Sequence, residues 1–151
     1  MTTPEQLAGT LKDHGIRQTP QRLAITEVVI NSGDHPSVKE IFERVKEFFP
    51  YVTLATVYST LAVLADAGIV RELPFQKHSR YDANLEPHAN LVCVGCGGVV
   101  DAALNLTAVA DLQVRLEQST DFDFTGQRVD FYGWCPNCAD RRDHRARASD
   151  R

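Results

Sequence analysis

The four cysteines of this 151-residue chain fall into two pairs, Cys93-x2-Cys96 and Cys135-x2-Cys138. Two intervening residues let both thiolates of a pair reach one tetrahedral ion, because the tight turn brings the sulfurs together. Four thiolates leave no exchangeable position, which is typical of a structural zinc site rather than a catalytic one. The spacing therefore predicts one structural Zn²⁺ per chain.

Two other kinds of site use similar cysteine spacing. A rubredoxin-like site holds iron between such pairs, and a redox-active Cys-x-x-Cys motif needs only one of them. Glycines at 95, 97 and 98, and Pro136-Asn137 in the second pair, favour the turns of a zinc site. Structural zinc is thus the leading interpretation, and removal of the metal is expected to loosen the C-terminal half.

A second group of potential ligands lies around the middle of the chain and includes no thiolate. Its members offer imidazole, carboxylate or amide donors: His35, His78, Asp82, Glu86, His88, Asn90 and Asp101. His88 and Asn90 are two residues apart in a predicted strand, so their side chains face the same side. Mixed nitrogen and oxygen donors suit Fe²⁺, Mn²⁺ or Zn²⁺ better than Cu⁺. A lone histidine is usually a surface or core residue. The prediction of a metal site therefore rests on the number of potential ligands in this region rather than on any single histidine.

Four helices followed by a two-stranded ribbon are predicted for the first half of the chain. Each helix has a capping residue, and the four caps are Thr3, Thr19, Ser37 and Thr53. The helices are expected to end near His14, Gly33, Pro50 and Gly68, and the strands to span 69–74 and 79–83. This order is that of a winged helix-turn-helix domain, with a helical bundle carrying a surface hairpin as the alternative.

The fourth predicted helix has the character of a DNA-reading helix. Its apolar stripe is Leu54, Val57, Leu61 and Leu64, and its outward residues are Ala55, Thr56, Tyr58, Ser59 and Ala62. A merely solvated face usually carries Lys and Glu, whereas this small, uncharged face suits a major groove. We predict base contacts from Thr56, Tyr58 and Ser59, and phosphate contacts from Arg17 and Arg22 near a helix start.

The second half of the chain reads as an α/β unit. Strands are predicted at Leu91–Val94, Val99–Val100 and Gln127–Trp134, and a helix from Leu106 to Ser119. Such a unit is small for an independent core, which favours completion by a homodimer. The expected organisation is a domain at 1–83, a hinge at 84–87, a dimerisation domain at 88–140 and a disordered tail at 141–151.

Composition indicates a cytoplasmic protein with no membrane partner. The chain has no apolar run long enough to cross a bilayer, and it begins without the pattern of a signal peptide. The net charge of −4 argues mildly against nucleic acid as a partner. DNA binding therefore requires a local basic patch and a well-placed helix rather than bulk charge.

Several segments, in order along nearly the whole chain, resemble the ferric uptake regulator (Fur) family. They are Gly15–Arg22, His35-Pro36-Ser37, Ala55–Leu61, Arg80-Tyr81-Asp82, and Cys93-x2-Cys96 with Asp101. Within the family the chain is most similar to the peroxide-sensing PerR branch. The resemblance implies an α+β protein with an N-terminal winged helix-turn-helix domain and a C-terminal α/β dimerisation domain with a four-cysteine zinc site.

The resemblance also implies a regulatory Fe²⁺ or Mn²⁺ held by His35, Asp82, His88, Asn90 and Asp101. One of these departs from the family pattern, since histidine is usual where this chain has Asn90. An amide oxygen binds Mn²⁺ or Fe²⁺ more weakly than imidazole does. The histidine-rich run typical of zinc-uptake regulators is absent around His88, and aspartate at position 82 favours the peroxide branch over iron regulators.

The predicted function is a metal-dependent repressor, not an enzyme, that binds double-stranded operator DNA as a homodimer. Fe²⁺-catalysed oxidation of a ligand histidine, His35 or His88, would release it from DNA. The alternative is an iron- or manganese-responsive repressor released by metal loss. A metalloenzyme would leave the winged-helix signals unexplained, and the sequence shows no nucleophile–base pairing. A zinc-ribbon interaction module without DNA binding is a third class, which the acidic charge mildly supports.

Overall fold

The computed structural model describes residues 1–75, 79–102, 107–124 and 127–140. The chain divides into two compact units, Met1–Leu85 and Glu86–Arg151. Three predictions lie outside the described residues: the ligand His78, the helix start at Leu106 and the disordered tail at 141–151. Among the described helices, none combines the length and the apolar character needed to span a membrane.

The first unit contains four helices and a two-stranded antiparallel ribbon. These are α1 (Pro4–Asp13), α2 (Pro20–Ile30), α3 (Val38–Lys46), α4 (Leu54–Asp66), β1 (Arg71–Leu73) and β2 (Arg80–Asp82). All four predicted caps form, because each cap side chain accepts the backbone N–H three residues further on. The predicted order of helices and ribbon is confirmed.

The core of the first unit lies between the helices. Its fully buried apolar residues include Leu11, Ile25, Val29, Ile41, Val45, Val57, Leu61 and Leu64. The predicted stripe of α4 was wrong at one end: Leu54 is 46% exposed, whereas Thr60 is 2% exposed. Leu54 is the first residue of α4, one turn before Val57, and so lies beyond the edge of the core.

The third helix ends earlier than its apolar spacing predicted. It stops at Lys46 rather than near Pro50, and Phe48 is 75% exposed. The backbone N–H groups of Phe48 and Phe49 both donate to the carbonyl oxygen of Val45, at 3.1 and 2.9 Å. The first of these is a tighter i to i−3 bond, which turns Phe48 outward while Phe49 packs against the core.

In its described part, the second unit contains a three-stranded mixed sheet, one long helix and a further helical turn at residues 136–140. Its elements are β3 (Ala89–Cys93), β4 (Val99–Ala102), α5 (Thr107–Ser119) and β5 (Val129–Gly133). Strand β3 lies in the centre, antiparallel to β4 and parallel to β5. A parallel pair needs a long crossover connection, and the segment that contains α5 supplies it.

Apolar side chains of the second unit remain largely exposed in the single chain. The buried apolar residues of its described part are Ala89, Val92, Cys93, Val99 and Cys138. Large apolar side chains on the sheet and beside it are 43–54% exposed: Leu91, Val94, Val100, Phe131 and Trp134. A contiguous apolar surface of this kind marks an interaction site.

Candidate functional site

The four cysteines come together at one end of the sheet in the second unit. Their sulfur atoms all lie within 4.8 Å of one another, and the Sγ atoms of Cys96 and Cys135 are 4.0 Å apart. Zinc–sulfur bonds of about 2.3 Å in a tetrahedron place sulfurs roughly 3.8 Å apart. The cluster therefore fits a structural zinc ion with little movement.

Strand register explains why two distant cysteine pairs meet. Cys93 ends β3 and pairs with Gly133 at the end of β5, two residues before Cys135. In the first pair, the N–H of Gly97 donates to the carbonyl of Cys93 at 2.8 Å, and Gly97 has a φ of 72°. A Cβ at Gly95 would lie 2.8 Å from the Trp134 ring. Both glycines are thus required for the turn.

Two thiols of this cluster, those of Cys93 and Cys138, have pKa values that lie far apart. Backbone N–H groups of Cys135 and Cys96 lower the pKa of Cys93 to about 6, and the first donates to its Sγ at 3.3 Å. The neighbouring thiol of Cys135, together with burial, raises the pKa of Cys138 to about 12. A bound dication favours the thiolate form of all four cysteines, including Cys138, whose pKa is raised in the metal-free cluster.

In the first unit, His35 lies beside Asp82 in a buried setting. The Nε2 atom of His35 is 3.4 Å from Oδ1 of Asp82, and the side chains are 4% and 2% exposed. The same Asp82 oxygen accepts the backbone N–H of Asn84 at 2.7 Å. A buried imidazole and carboxylate in contact are a common half of a Fe²⁺ or Mn²⁺ site.

Contacts distant in sequence hold the loop that carries His35. Its φ of +46° is the only positive value at a non-glycine residue in the described part of the chain. Nη1 of Arg80 donates to the carbonyl oxygen of His35 at 2.9 Å, and the N–H of Tyr81 donates to that of Pro36 at 3.1 Å. Strand β2 therefore fixes an otherwise disfavoured backbone conformation.

In the second unit, His88 lies beside Asp101. Nε2 of His88 is 3.3 Å from Oδ1 of Asp101, while its Nδ1 is 2.8 Å from the carbonyl oxygen of Glu86. A carbonyl only accepts, so Nδ1 donates to Glu86 and Nε2 is the ring nitrogen that faces Asp101. This second-sphere contact is typical of metal-binding histidines. Glu86 thus contributes its backbone carbonyl to the arrangement.

Asn90, the departure from the family pattern, is 1% exposed in the centre of the sheet. It lies opposite Asp101 on β4 and opposite Asp130 on β5. Its Nδ2 donates to Oδ1 of Asp130 at 3.1 Å, and its buried Oδ1 has no hydrogen-bond partner among the described residues. A buried carbonyl oxygen of this kind fits a hard cation as its partner.

The five residues predicted to contact DNA all belong to the first unit. Tyr58 is 57% exposed and Ser59 is exposed, as the helix pattern predicted. Thr56 is half-buried, and its Oγ1 lies 2.9 Å from that of Thr53. Arg17 is exposed, whereas Arg22 donates from Nη1 to the carbonyl of Arg17 at 2.9 Å. Their contacts with DNA stay predictions.

Comparison with known proteins now adds to this geometry. The model of the ferric uptake regulator family matches residues 13–132. The chain belongs to the ferric uptake regulator family. Among its relatives is the peroxide-responsive repressor PerR of Staphylococcus aureus strain Mu50, which is 37% identical over 138 residues, covering 91% of this chain and 92% of that protein.

Two solved Fur-family structures share the fold. The Vibrio cholerae ferric uptake regulator is 29% identical with a TM-score of 0.70, over 84% of this chain and 98% of that one. The Campylobacter jejuni peroxide stress regulator is 27% identical with a TM-score of 0.68, over 91% of this chain and all (100%) of that one. The α+β fold predicted from the resemblance is confirmed. Fur-family members are transcriptional regulators rather than enzymes.

Sequence reasoning missed the residues that hold the candidate ligands in place. Arg80 was noted only as part of a motif, yet its side chain holds the His35 loop. Asp130 was not singled out, although it contacts Asn90. The one available signal was the alternation of Arg128, Asp130 and Tyr132, which places three polar side chains on the same face of a strand.

Proposed function

We propose that this chain is a homodimeric, metal-dependent repressor that binds operator DNA in the cytoplasm and senses peroxide through a regulatory Fe²⁺. The observation that carries the proposal is that each unit sets a histidine against an aspartate: His35 with Asp82, and His88 with Asp101. The similarity to a peroxide-responsive repressor supports the same function.

In this proposal one regulatory Fe²⁺ or Mn²⁺ is held by residues from both units. The ligands are His35, Asp82, His88, Asn90 and Asp101. The domains are the winged helix at 1–83 and the dimerisation domain at 88–140, joined by the hinge at 84–87. An ion held from both sides of a hinge restricts its motion, so the loaded protein has a fixed geometry for DNA.

Two surfaces of the chain are suited to the proposed partners, which are operator DNA and a second copy of the chain. The uncharged face of α4 presents Thr56, Tyr58 and Ser59 for base contacts, with Arg17 and Arg22 for phosphates. The exposed apolar side chains of the sheet, among them Leu91 and Phe131, support a homodimer, because a second copy would remove them from water.

Peroxide sensing follows from the histidines of the regulatory site. Fe²⁺ held by these residues would catalyse the transfer of one oxygen atom from hydrogen peroxide to an imidazole, with water as the other product. His35 and His88, as ligands, are the imidazoles nearest to that reaction and the first to gain an oxygen atom. An oxidised imidazole binds metal poorly, so the hinge is released and DNA affinity falls. The four cysteines are expected to react more slowly while zinc occupies them.

A gel-shift titration with operator DNA tests the proposal. Binding is expected with Mn²⁺ or Fe²⁺ and is expected to be lost with a chelator that leaves the structural zinc in place. Brief peroxide treatment should then release only the Fe²⁺-loaded protein. Binding that ignores the regulatory metal would contradict the proposal.

Mass spectrometry of the treated protein identifies the signal. One added oxygen is expected on the peptide bearing His35 or His88 after treatment of the Fe²⁺ form, and on neither after treatment of the Mn²⁺ form. The peptide bearing His14 serves as an internal control. Unmodified histidines with release by metal depletion would support the alternative repressor, and oxidised cysteines alone would exclude histidine-based sensing.

A further inference from the structure

Three polar side chains form a row across the sheet of the second unit. Asn90 on β3 is paired with Asp101 on β4 and with Asp130 on β5. Residues directly opposite each other on neighbouring strands point to the same face. The amide of Asn90 therefore lies between two carboxylates, one of which belongs to a predicted ligand and one of which does not.

The contact with Asp130 decides which end of the Asn90 amide faces away from β5. An ionised carboxylate can only accept hydrogen bonds, so the NH₂ group must point to Asp130, where Nδ2 and Oδ1 are 3.1 Å apart. The amide oxygen is then directed away from Asp130. It is buried and has no hydrogen-bond partner in the described part of the chain.

The other carboxylate oxygen of Asp130, Oδ2, also contacts polar side chains. Nη2 of Arg128 lies 2.8 Å from Oδ2 of Asp130, and the hydroxyl of Tyr132 donates to the same oxygen at 3.4 Å. The permanently charged guanidinium keeps an acceptor at this position. These contacts occupy Oδ2 and leave Oδ1 for Asn90, so Arg128, just before β5, and two residues of β5 fix the orientation of a side chain on β3.

We infer that Asp130 is a positioning residue that presents Oδ1 of Asn90 as a ligand and thereby biases the regulatory site toward Mn²⁺ and away from Zn²⁺. The inference rests on the proposed function, since it concerns the same metal site. A fixed amide oxygen in place of an imidazole shifts the donor set toward oxygen, which suits Mn²⁺ better than Zn²⁺. Without Asp130 the amide is free to turn its NH₂ group toward the ion, where it cannot bind.

A double-mutant cycle in the full-length, zinc-loaded protein tests this role. The dissociation constant for Mn²⁺ is measured from the electron paramagnetic resonance signal of the free ion. Asp130→Asn is expected to raise it about tenfold or more, as is typical for residues that orient a ligand. In an Asn90→Ala background the same change should have no further effect. Asp111→Asn, the same charge change on exposed α5, is the matched control.

Metal preference gives a second readout that simple destabilisation would not move. Asn90→His, with Asp130 retained, is expected to strengthen Zn²⁺ binding at the regulatory site more than Mn²⁺ binding, measured by chelator competition. Circular dichroism and a zinc content of one per chain establish that each variant is folded. If Asp130→Asn does not fold, Asp130→Ala takes its place in the cycle with the same expected loss. Asp130→Glu, which keeps the carboxylate, should retain affinity.

The outcomes separate the two proposals. A wild-type protein that binds no Mn²⁺ beyond its structural zinc overturns the proposed function and the inference together. Only the positioning role fails if the wild type binds Mn²⁺ but Asp130→Asn leaves the dissociation constant unchanged. The same holds if Asp130→Asn raises the dissociation constant equally in the wild-type and Asn90→Ala backgrounds. An unchanged ratio of Zn²⁺ to Mn²⁺ affinity in Asn90→His overturns the assigned preference.

Discussion

The Nδ1 atom of His88 donates its proton to the carbonyl oxygen of Glu86 over a distance of 2.8 Å. This bond occupies Nδ1, so Nε2 is the ring nitrogen that faces Oδ1 of Asp101, 3.3 Å away. A neutral Nε2 and a carboxylate oxygen repel each other unless a proton or a metal ion shares them. The relationship predicts that Nε2, rather than Nδ1, is the atom with which His88 would bind the proposed regulatory ion.

Nitrogen-15 spectra of labelled histidine test this assignment. Without regulatory metal, Nδ1 of His88 is expected to carry a proton that is hydrogen-bonded to the carbonyl of Glu86. Substoichiometric Mn²⁺ should then broaden its Nε2 resonance first. His14 is a matched control, because its Nδ1 makes the same type of bond, 2.9 Å to the carbonyl of Thr10, on the exposed end of α1. Broadening of both rings alike would contradict specific binding.

Cys96→Ser is expected to abolish zinc binding. Cys96 is the exposed member of the cluster, so serine removes a ligand without disturbing packed side chains. Elemental analysis should show zinc falling from about one per chain to near none, and light scattering should show loss of the dimer. Asp111→Asn should keep both. Iron at the four thiolates, or a dimeric and zinc-loaded variant, would overturn the assignment.

Arg17→Ala should weaken binding to every DNA sequence by a similar factor. A phosphate contact releases one counterion, so the slope of log Kd against log salt should fall by about one unit. Lys39→Ala, which removes an 82% exposed cation from α3, is the comparison variant. Fluorescence anisotropy across a salt series measures both. An unchanged slope for Arg17→Ala would place this residue outside the interface.

Tyr58→Ala should instead reduce the preference for operator over random DNA. Its ring is 57% exposed on the uncharged face of α4, where it can reach base edges. The ratio of the two dissociation constants is the measured quantity, and Tyr58→Phe separates the ring from the hydroxyl. Tyr51→Ala, at a 93% exposed tyrosine before α4, is the control. Equal losses on both DNAs would contradict base reading.

Stability at low pH should depend on Asp34, which precedes His35. The guanidinium of Arg44 hydrogen-bonds to Asp34 and holds the pKa of that carboxyl below its ordinary 3.8. A lowered folded-state pKa contributes stability that is complete above the unfolded value and is lost as the pH falls through the folded one. The unfolding free energies of wild type and Asp34→Asn should therefore differ steadily at pH 5–7 and converge at acidic pH, below about pH 4.

The size of this difference is limited by solvent. The side chains of Arg44 and Asp34 are 40% and 55% exposed, so the pair contributes less than about 1 kcal/mol. Added salt should reduce the difference further, because it screens exposed charges. Urea titrations at each pH, with and without 0.5 M salt (about a 4 Å screening length), measure both effects. A difference that grows on acidification would contradict the sign.

Features set by near neighbours in the chain were predictable from sequence. Thr3 and Ser37 each cap a helix through contacts with a residue three positions away, as predicted. The spacing of Cys93 and Cys96 likewise encodes a metal turn locally. Such signals survive folding because the partner groups are within one turn of each other.

Features set by distant partners were not predictable in the same way. Asn90 and Asp130 meet because β5 returns parallel to β3, and the hydrogen bond joins residues 40 positions apart. Arg80 reaches the His35 carbonyl across 45 positions. Leu54 and Phe48 had the right spacing for burial, but the ends of their helices lie outside the core. Periodicity reports which face is apolar and not how far the core extends.

The parallel pairing of β3 with β5 links the zinc cluster of the second unit to Asn90, a ligand of the proposed regulatory site. The strands that place Asp130 opposite Asn90 also place Gly133 opposite Cys93, where the zinc cluster begins. Zinc therefore stabilises the register on which the orientation of the Asn90 amide depends, and the coupling free energy acts equally in both directions. We therefore expect zinc and the proposed regulatory ion each to raise the affinity for the other by the same factor. The protein molecules loaded with the regulatory ion are accordingly those that release zinc, and expose their cysteines to oxidants, most slowly.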